Sequence, residues 1–466
     1  MTASPKSALK HILETAGIDP ARADEIRIEG QDPILPTRFL MGSAGAAALG
    51  AVGLAAADLW RLRGNSGQEV SIDTRRGAAA LRTTHYLQVP AYSSAMFSSA
   101  LSGFHQTRDG GWIQLHCEFP HFQDGVRDVL GISDDDDASA AVANWSGPEL
   151  EEALAARGLP ALVMRDNLAW ASHPQGAAVA GLPLMEITRI GDAPPQPLAQ
   201  GAQPLSGIRA LDLTRVIAGP MTGRTLAEHG ADVLRISAPH LPSLEQLVIE
   251  SGHGKRNAEI DLRTKEGCDT LRRLAAGADV FSQSYRPGSL AARGFGPEDL
   301  AALRPGIVYV SLSAWSHAGP WASRRGYDSL VQCATGIAHE QGTHRGGAMP
   351  RHMPRHLPGQ ALDYLAGYLG AFGAMVALER RAREGGSWLV RLSLAQTAHW
   401  LKSLRRIDAP EGLELSIEDV ADLIMRSDTA WGRVTHLGPV LQMSATPPRW
   451  ARPAAPLGTH DATWLA

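Results

Sequence analysis

The sequence predicts an α/β protein with a doubly wound parallel-sheet body, a small α+β domain and a partial internal repeat. Over residues 207–314, strand-like apolar runs alternate with short helical segments, a pattern typical of a parallel sheet with helices on both faces. Residues 86–166 contain strand-like runs joined by a Gly-Gly turn and then helical segments, which indicates a separate small domain. Residues 43–81 align without gaps with residues 363–401, so one helix–turn–strand unit occurs twice.

Composition restricts the class of function. A formal net charge of −4 over 466 residues does not suggest a nucleic-acid-binding protein. The three cysteines, Cys117, Cys268 and Cys333, are odd in number and far apart, which argues against a disulfide framework and favours a reducing compartment. The first residues contain no apolar segment of the kind that directs secretion. We therefore expect a cytoplasmic protein.

Residues 1–85 form the predicted N-terminal segment. A short helix is expected near residues 5–16, followed by a polar connector that ends at Pro36. Residues 39–60 are apolar and long enough to cross a bilayer, but most of them are alanine or glycine and Asp58 is among them. Because this stretch belongs to the first copy of the repeat, we expect a helix buried in the protein and not a membrane span.

The second copy of the repeat begins after a Pro-Gly pair, with a long apolar run that predicts a buried helix from about residue 361. Paired glycines end this helix, and residues 388–394 then alternate like a strand. One acid, Asp363, stands in the first turn, where the first copy has Ser43. Either residue can cap a helix, so the pattern alone leaves two roles open for Asp363, an N-cap or a functional carboxylate.

Residues 86–166 are the predicted small domain, and residues 167–204, which are rich in proline and alanine, are predicted to be an extended linker. Within the small domain, Asp134–Asp137 is expected to be a solvated loop. The other predicted elements are strand-like runs before and after Arg108–Gly111, one of them HYLQVPAY, helices near 121–130 and 147–157, and a strand within 158–166.

Residues 205–466 form the predicted body and its C-terminal tail. After residue 401 we expect a helix near residues 416–426 and then a proline-rich tail. In sheets of this kind, ligands bind beyond the carboxyl ends of the strands. Four loops that follow predicted strands are therefore candidates for a binding site: Thr214–Pro220, Ser237–Ser243, Ser284–Gly288 and Ser313–Pro320.

Several motifs of this body resemble, in the same order, those of the family III CoA-transferases (the CaiB/BaiF family), which include formyl-CoA transferase and carnitine CoA-transferase. The resemblance rests on LSGIRALDLTRVIAGPMTGRTLAEHGADVLRIS, GKRNAEIDLRTKEG, SYRPGSLAARGFG, RRGYDSLVQCATGIAHEQG and, in the tail, PLGTHDATWL. It implies a Rossmann-like body and the transfer of CoA from an acyl-CoA thioester to a carboxylic acid. It implies no permanently bound cofactor and no metal, because coenzyme A and acyl-CoA are substrates.

By position, Asp363 falls on the family's catalytic aspartate. The resemblance implies that its carboxylate attacks the thioester to give an aspartyl anhydride and CoA thiolate, and that the thiolate then forms an aspartyl-CoA thioester. A weakly nucleophilic carboxylate suits this role when it is held against a reactive acyl group. Backbone N–H groups at the start of the helix can stabilise the developing oxyanion.

The resemblance also implies contacts with CoA. Formyl-CoA transferase has a glutamine at the position of Ile217, so the apolar residue here makes an oxalate-like acid a less expected substrate. Either Lys255 or Arg256 is expected to face the CoA phosphates. The implied contact residues are Val216, Ile217, His253, Gly254, Lys255, Arg256, Ser284, Tyr285, Arg286, Arg293, Gly326, Tyr327 and Asp328.

Two other functions are open: an acyl-CoA isomerase or racemase of the same family, and an acyl-CoA-binding relative without activity. The racemases have a histidine at the position of Tyr327. A tyrosine, with an ordinary pKa of about 10, is a poor proton shuttle at neutral pH. Tyr327 therefore disfavours racemisation, and Asp363 disfavours a relative without activity.

The chain departs from the family in the order of its domains, because its small domain precedes the body. The resemblance implies a homodimer, and a fused pseudo-dimer within one chain is the alternative. In the family a glycine-rich loop of the small domain covers the active site, and Gly110–Gly111 is only a weak substitute for it here.

Two groups of residues that contain histidine lie outside the family motifs. His344, His352 and His356 lie in one loop, but no carboxylate or cysteine nearby supports a metal site. His116–Glu118 follows a strand pattern and is expected to be packed strand. Neither group predicts a second site.

Overall fold

The first part of the chain is built around one long helix. The structure is a computed structural model that describes residues 4–92, 99–134, 136–342, 353–408 and 413–465. α1 confirms the predicted short helix, and the long helix α2 is buried over most of its length, as predicted. The parallel pairing of β1 with β2 was not predicted. The elements are α1 (Pro5–Thr15), β1 (Ile26–Glu29), α2 (Met41–Leu62), β2 (Val70–Asp73) and α3 (Thr74–Ala80).

The small domain is α+β, as predicted, with an apolar core of its own. The two strands on either side of the Gly-Gly turn form the predicted hairpin, and a third strand lies antiparallel to the second. The strand expected over HYLQVPAY is wrong, since that segment makes a 3₁₀ turn and one isolated bridge, Gln88 with Thr435. The elements are β3 (Gly103–Gln106), β4 (Trp112–Leu115), α4 (Pro120–Leu130), α5 (Ala138–Val142), α6 (Gly147–Ala156) and β5 (Ala161–Val163).

The prediction of an extended linker over residues 167–204 is wrong for its first part. That part forms α7 (Asn167–Ser172), α8 (Pro174–Ala180) and β6 (Met185–Gly191). Pro174 stands at the start of α8, where a proline has no helical hydrogen bond to lose, so its presence does not prevent a helix. β6 adds to the edge of the main sheet by antiparallel pairing with the strand Ser387–Ser393.

A seven-stranded sheet forms the centre of the body, and all of its strand pairs are parallel except the edge pair made by β6. Its other strands are β7 (Arg209–Leu213), β8 (Asp232–Ser237), β9 (Lys255–Glu259), β10 (Val280–Gln283), β11 (Val308–Ser313) and β12 (Ser387–Ser393). The order across the sheet is β6-β12-β11-β10-β7-β8-β9. The order therefore reverses between β7 and β10, which is where such sheets bind ligands.

Helices cover both faces of this sheet, as the alternating pattern predicted, and one apolar core lies on each face. The longest helix is buried from Ala361 to Leu378 and packs against α2 and the first helix of the body. The body helices are α9 (Ala218–Glu228), α10 (Glu245–Gly252), α11 (Lys265–Ala276), α12 (Pro297–Leu303), α13 (Asp328–Ala334), α14 (Ile337–Gly342), α15 (Ala361–Glu384) and α16 (Leu394–Ser403).

The tail returns to the N-terminal segment. The helix expected near residues 416–426 is wrong, because this stretch holds a 3₁₀ turn, Ala421–Leu423, and then a hairpin of β13 (Ile424–Thr429) and β14 (Gly432–Leu437). Gly432, with a φ of +94°, supplies the left-handed residue of the hairpin turn. The short strand β15 (Gln442–Met443) pairs antiparallel with β2, so tail and N-terminal segment share a three-stranded sheet.

The N-terminal segment and the body also share one core. The same apolar cluster contains Leu9 of α1, Leu49 of α2, Leu369 of α15 and Leu441 of the tail. Among the described residues, α2 and α15 are long and apolar enough to cross a membrane, but both are fully enclosed by the rest of the protein. The predicted N-terminal segment and body therefore share a core, whereas the small domain has its own.

Candidate active site

A cavity of about 430 Å³ lies beyond the carboxyl ends of the body strands. All four loops that the sequence singled out contribute to its wall, through Arg215–Gly219, Leu241–Pro242, Ser284–Pro287 and Ser313–Ala314. The first and third of these loops follow β7 and β10, the two strands between which the sheet order reverses. The place of the cavity therefore follows from the strand order, as expected for a doubly wound sheet.

Asp363 reaches this cavity from the first turn of α15, with its side chain almost fully buried. The chain enters the helix through Gly359, whose φ is +151° and where a Cβ would lie 2.7 Å from the Leu81 carbonyl oxygen. Only glycine fits that turn. The N-terminus of α15 is capped from a distance, because the Asp328 carboxylate accepts the N–H groups of Leu362 (2.8 Å) and Asp363 (3.0 Å).

Burial raises the pKa of both carboxyl groups at this helix start, Asp363 and Asp328. Burial, and then the charge of Asp328, raise the pKa of Asp363 well above its ordinary range. Burial raises the pKa of Asp328 to about 6, although the hydrogen bonds from Asp363 N–H, Gln332 and Leu362 N–H oppose the rise. None of the described residues donates a hydrogen bond to the Asp363 carboxylate, so both of its oxygens are available to a ligand in the cavity.

Tyr327 lies beside Asp363 and is held by rings of the small domain. It stacks on His116 with 3.8 Å between ring centroids and meets the edge of Phe122 at 6.2 Å. Burial raises the pKa of Tyr327 to about 12, so its hydroxyl keeps its proton at neutral pH. The prediction that His116 is packed strand is wrong, because β4 ends at Leu115. His116 is half-buried, and burial, reinforced by His356, lowers its pKa to about 3.

The small domain supplies one wall of the cavity through Phe119, His121 and Phe122, which the sequence patterns did not identify. The guanidinium carbon of Arg215 lies 5.7 Å from the ring centroid of Phe119, and that of Arg325 lies 5.0 Å from that of Phe122. The two arginines directly precede the predicted contacts Val216 and Gly326, so their place in the motifs was a usable signal. The aromatic residues carried no such signal, because their place depends on how the small domain docks.

Two residues of the lining have an unusual backbone or an unusually close contact. Val216 has a φ of +70°, which is rare for a β-branched residue and costs about 1–3 kcal/mol. A Cβ on Gly326 would lie 2.5 Å from the Cβ of Ala314, so this position requires glycine. Eight of the residues implied by the family motifs meet in this cavity: Val216, Ile217, Ser284, Tyr285, Arg286, Gly326, Tyr327 and Asp363.

A second cavity of about 170 Å³ adjoins the first. The two share Leu241, Tyr285 and Ser289 in their walls. Basic side chains line the second cavity at His240, Arg263 and Arg293. The structure therefore places Arg293 next to the main cavity and not inside it.

Lys255 and Arg256 do not line either cavity, and the expectation that one of them faces CoA phosphates is wrong in this structure. The Lys255 ammonium is fully buried, 2.7 Å from the Asp212 carboxylate, and it donates to the Pro220 carbonyl at 2.6 Å. Arg256 pairs with Asp232 at 2.9 Å. Both cations compensate carboxylates that are largely buried, and neither could leave without exposing an unpaired charge.

His253 and Gly254 hold the C-terminal tail and not the cavity. The His253 ring lies 3.9 Å from that of His436, and the Gly254 N–H donates to the Arg452 carbonyl at 2.9 Å. Gly254 has a φ of +82°, and a Cβ there would lie 2.9 Å from Trp450. Asp328 is likewise set back from the cavity, where it caps α15.

The remaining sequence-based candidates lie elsewhere. Gly110–Gly111 forms the turn of the small-domain hairpin and does not line the cavity. His344 and His352 lie outside the described residues, and His356 is buried against Phe104. Within the described ranges, no three histidine, cysteine, aspartate or glutamate side chains are grouped so that they could hold a metal ion.

Comparison with known proteins finds a family model and relatives that match part of the chain. The model of CoA-transferase family III matches residues 205–415. A probable fatty acyl-CoA transferase of Mycobacterium tuberculosis is 32% identical over 220 residues, which are 44% of this chain and 54% of that protein. Human succinyl-CoA:glutarate CoA-transferase is 31% identical over 195 residues, which are 39% of this chain and 43% of that protein.

Among solved structures, a CaiB/BaiF family protein from Brucella suis is 30% identical with a TM-score of 0.38, and the match covers 42% of this chain and 55% of that one. The chain thus spans about half the length of the relatives that it matches. The family model covers the body that holds Asp363 and most of the cavity wall. Residues 205–415 of the chain therefore match CoA-transferase family III.

Proposed function

We propose that this chain is a CoA-transferase that moves CoA between an acyl-CoA thioester and a carboxylic acid, with Asp363 as the nucleophile. The observation that carries the proposal is the Asp363 carboxylate, which lies at the start of a buried helix and faces an open cavity. Its raised pKa makes the ionised form a better nucleophile than an ordinary aspartate. The pKa of Tyr327, raised to about 12, makes proton shuttling a poor role for that residue and so disfavours a racemase.

The reaction needs no oxidant and no metal. An Asp363 oxygen attacks the acyl carbon, the C–S bond breaks, and CoA leaves as the thiolate from an aspartyl acyl anhydride. The thiolate then attacks the aspartyl carbonyl and releases the donor acid, which leaves an aspartyl-CoA thioester. The acceptor carboxylate attacks that thioester, and the released thiolate attacks the acceptor carbonyl, which forms the new acyl-CoA and restores Asp363.

The two adjoining cavities support a division of CoA between them. In this proposal the thioester lies against Val216, Ile217 and Tyr327 of the main cavity. The phosphates of the nucleotide end lie near Arg286 at the exposed mouth and near Arg293 in the second cavity. Ser284, Tyr285 and Gly326 also line the main cavity, and Tyr285 lines the second cavity as well. Arg263 of the second cavity is paired with Asp261 at 2.7 Å, whereas Arg293 has no ion pair with a described acidic residue and is available to an anionic nucleotide.

Chemical trapping tests the role of Asp363. Hydroxylamine added during turnover should convert Asp363 to its hydroxamate, which mass spectrometry of the peptide detects. Asp363→Asn should lower kcat by about 10⁴-fold or more, since it removes the nucleophile. Turnover of Asp363→Ala at near wild-type rate, or a hydroxamate on another residue, would overturn the assignment.

We also propose that one chain is the working unit, a fused pseudo-dimer, and so revise the expected homodimer. The small-domain residues Phe119, His121 and Phe122 and the body residue Asp363 meet in one cavity of the same chain. Residues 1–85 would then be a degenerate copy of the catalytic helix–strand unit, with Ser43 in place of the acid. We place the enzyme in the cytoplasm, with acyl-CoA and acid substrates as its partners.

The contacts of the two long helices support this repeat. A Cβ on Gly53 of α2 would lie 2.5 Å from Val70 on the following strand, and a Cβ on Gly373 of α15 would lie 2.6 Å from Val390. The two pairs occupy equivalent positions of the sequence alignment. Each helix start is also capped by a distant aspartate, since Asp32 accepts the N–H groups at the start of α2.

A further inference from the structure

We propose that Gln175 is a positioning residue: through the segment Trp315–Tyr327 it holds Tyr327 beside Asp363. The inference rests on the proposed CoA-transferase function and names a residue on which that site depends. Gln175 lies on α8, outside residues 205–415 that match the family model, in a stretch predicted from the sequence to be an extended linker. Its side chain does not line the cavity, so it acts through the residues that it binds.

The Gln175 side chain is fully buried and uses both ends of its amide. Its Nε2 donates to the carbonyl oxygens of Trp315 (2.7 Å) and Ala318 (2.9 Å), and its Oε1 accepts the N–H of Trp321 (2.7 Å). These three bonds reach backbone groups on both sides of a turn that is exposed at Gly319. An amide supplies two donors and an acceptor at once, whereas a carboxylate or an apolar side chain does not.

The turn is shaped around this amide. Ser316 has a φ of +85°, which is unfavourable for a residue other than glycine and persists only where the surrounding structure fixes it. Gly319 also has a φ of +85°, and a Cβ there would overlap the Gln175 Oε1. A larger residue at Gly319 would therefore both strain the backbone and displace the amide. The hydrogen bonds of Gln175 thus hold a turn whose backbone is strained.

Trp315 connects this turn to the cavity wall. Its indole N–H donates to the Arg325 carbonyl at 3.1 Å, and a Cβ on Gly326 would lie 2.6 Å from the same nitrogen. Trp315 is fully buried, and the ring of Trp321 meets its ring edge-on with 4.9 Å between centroids. Arg325 and Gly326 directly precede Tyr327, and all three line the cavity. A shift of Trp315 would therefore move the backbone that places Tyr327.

The Trp321 end of the segment is tied to the small domain. The Arg324 guanidinium carbon lies 4.7 Å from the ring centroid of Trp321, and Arg324 pairs with Glu151 of α6 at 3.2 Å. The guanidinium carbon of Arg165, which follows β5, lies 5.2 Å from the same centroid, and Arg165 pairs with Glu151 at 3.1 Å. Gln175 binds the backbone N–H of Trp321 and therefore acts where the small domain, the segment and the body meet.

A small displacement of Tyr327 should matter more for turnover than for folding. In the proposed reaction Tyr327 lies against the thioester, and an error of about 1 Å in the place of a group at the reacting centre can lower the rate by about 100-fold. A glutamine that only stabilised the fold would change the free energy of unfolding and leave the kinetics of folded protein as they are. The behaviour of folded variants therefore distinguishes the two roles.

The first experiment does not depend on turnover. Hydrogen–deuterium exchange, measured by mass spectrometry, compares wild-type protein and Gln175→Met, each with and without saturating CoA. We expect CoA to slow exchange over residues 321–327 at least about 3-fold in wild-type protein, and Gln175→Met to lose most of that protection. No protection in wild-type protein, or retained protection in Gln175→Met, would overturn the proposal.

Gln341→Met is the matched control. Gln341 is buried like Gln175 and donates to the Pro36 carbonyl at 2.9 Å, but its side chain does not line the cavity. At both positions methionine keeps an unbranched side chain of similar size and removes the hydrogen bonds. Gln341→Met should therefore show the wild-type protection by CoA and the wild-type kcat, whatever its effect on stability. The same losses in Gln341→Met as in Gln175→Met would overturn the proposal.

The second experiment measures transfer with the fastest pair from acetyl-, butyryl- and succinyl-CoA as donors and succinate, glutarate and butyrate as acceptors. Gln175→Met should lower kcat about 10–100-fold and change the KM for the acyl-CoA less than about 3-fold, since the proposed contacts of the nucleotide end are unchanged. Gln175→Met combined with Tyr327→Ala should be no slower than Tyr327→Ala alone, because both changes act on one side chain. Wild-type kcat in Gln175→Met, or independent losses in the double variant, would overturn the proposal while the proposed function stands.

Trp315→Phe decides the case if Gln175→Met does not fold. It keeps a buried ring and removes the indole N–H that bonds the Arg325 carbonyl, so it should lower kcat about 3–10-fold with little change in KM. Wild-type kcat in Trp315→Phe would then overturn the proposal. No transfer by wild-type protein with any pair, together with the loss of CoA protection in Gln175→Met, would support the positioning role and count against the transferase.

Discussion

At the scale of single residues, the site depends on two acids with different tasks. The Asp328 carboxylate accepts hydrogen bonds from the backbone N–H groups at the start of α15. Asp363, in the first turn of that helix, makes no such bond and faces the cavity. Burial raises the cost of ionising both, and the charge of Asp328 adds to that cost for Asp363. Asp328, which caps α15, therefore also raises the proton affinity of the proposed nucleophile Asp363.

The first prediction concerns pH. The nucleophile must be ionised, so kcat/KM should fall as pH falls through the raised pKa of Asp363, at a higher pH than an ordinary aspartate gives. Asp328→Asn removes the neighbouring charge, so the acid limb of the profile should move to lower pH. Profiles of both proteins from pH 4 to pH 9 measure this. An acid limb that stays in place would contradict the coupling.

The second prediction separates the structural role of Lys255 from a phosphate contact. Lys255→Met should lower the free energy of unfolding by about 3–5 kcal/mol, because Asp212 stays buried without its partner. The KM for acyl-CoA should not change in protein that remains folded at low temperature. Arg293→Met, at the second cavity, is the comparison and should raise KM with little loss of stability. A raised KM without destabilisation in Lys255→Met would contradict the reassignment.

At the scale of elements, glycine determines how closely α15, the helix that carries Asp363, packs against α9. A Cβ on Gly370 of α15 would lie 2.6 Å from the Thr222 hydroxyl oxygen of α9. α9 begins at Ala218, in the wall of the cavity, so a shift of one helix against the other would move Ile217 and Asp363 apart. The N-terminal half of α15 is also tied to the first segment, where the Thr84 N–H donates to the Tyr364 hydroxyl at 3.2 Å.

The third prediction uses equivalent glycines of the two long helices. Gly370→Ala should destabilise the protein by about 1–3 kcal/mol and lower kcat, because the added Cβ overlaps Thr222. Gly50→Ala, at the matching position of α2, should be neutral or stabilise by up to about 1 kcal/mol, since its Cβ would meet Ile26 at an ordinary 3.4 Å. Urea unfolding and steady-state kinetics measure both. Equal effects would show that the packing of α15 is not special.

At the scale of the whole molecule, the small domain and the body of one chain meet at the same cavity, whereas the resemblance implied a homodimer. The small domain closes the cavity of the same chain, and the N-terminal segment, the body and the tail pack into one core. The helix α2 lies against α15, and in the proposed pseudo-dimer it takes the place of a second catalytic helix. This packing supports the single-chain unit proposed above.

The fourth prediction is a monomer. Light scattering should give a mass near 49.6 kDa across the concentration range of the assay, and specific activity should not depend on protein concentration. A dimer that loses activity on dilution would contradict the prediction. It would show that a second copy completes the site.

The sequence alone determined the parts of this protein that have local or periodic signals. The alternation of strands and helices predicted the parallel body, and the glycine-rich apolar runs predicted α2 and α15. The order of the motifs indicated the family resemblance and the position of Asp363 at the start of α15. The position of the cavity could then be expected, because the loops after parallel strands meet at one edge of the sheet. Errors arose where composition was the only signal, as in residues 167–204, where prolines suit a helix start as well as a linker.

Only the tertiary structure decided which charged residues face the cavity. Lys255 and Arg256 carry the motif, but a lysine or arginine pairs with whichever carboxylate the fold buries nearby, and here those are Asp212 and Asp232. Phe119 and Phe122 have no motif, and they reach the site because the small domain docks onto the body. The sequence sets what each side chain is able to do. The packing of distant segments determines which charges and rings lie next to it, and these neighbours determine its role.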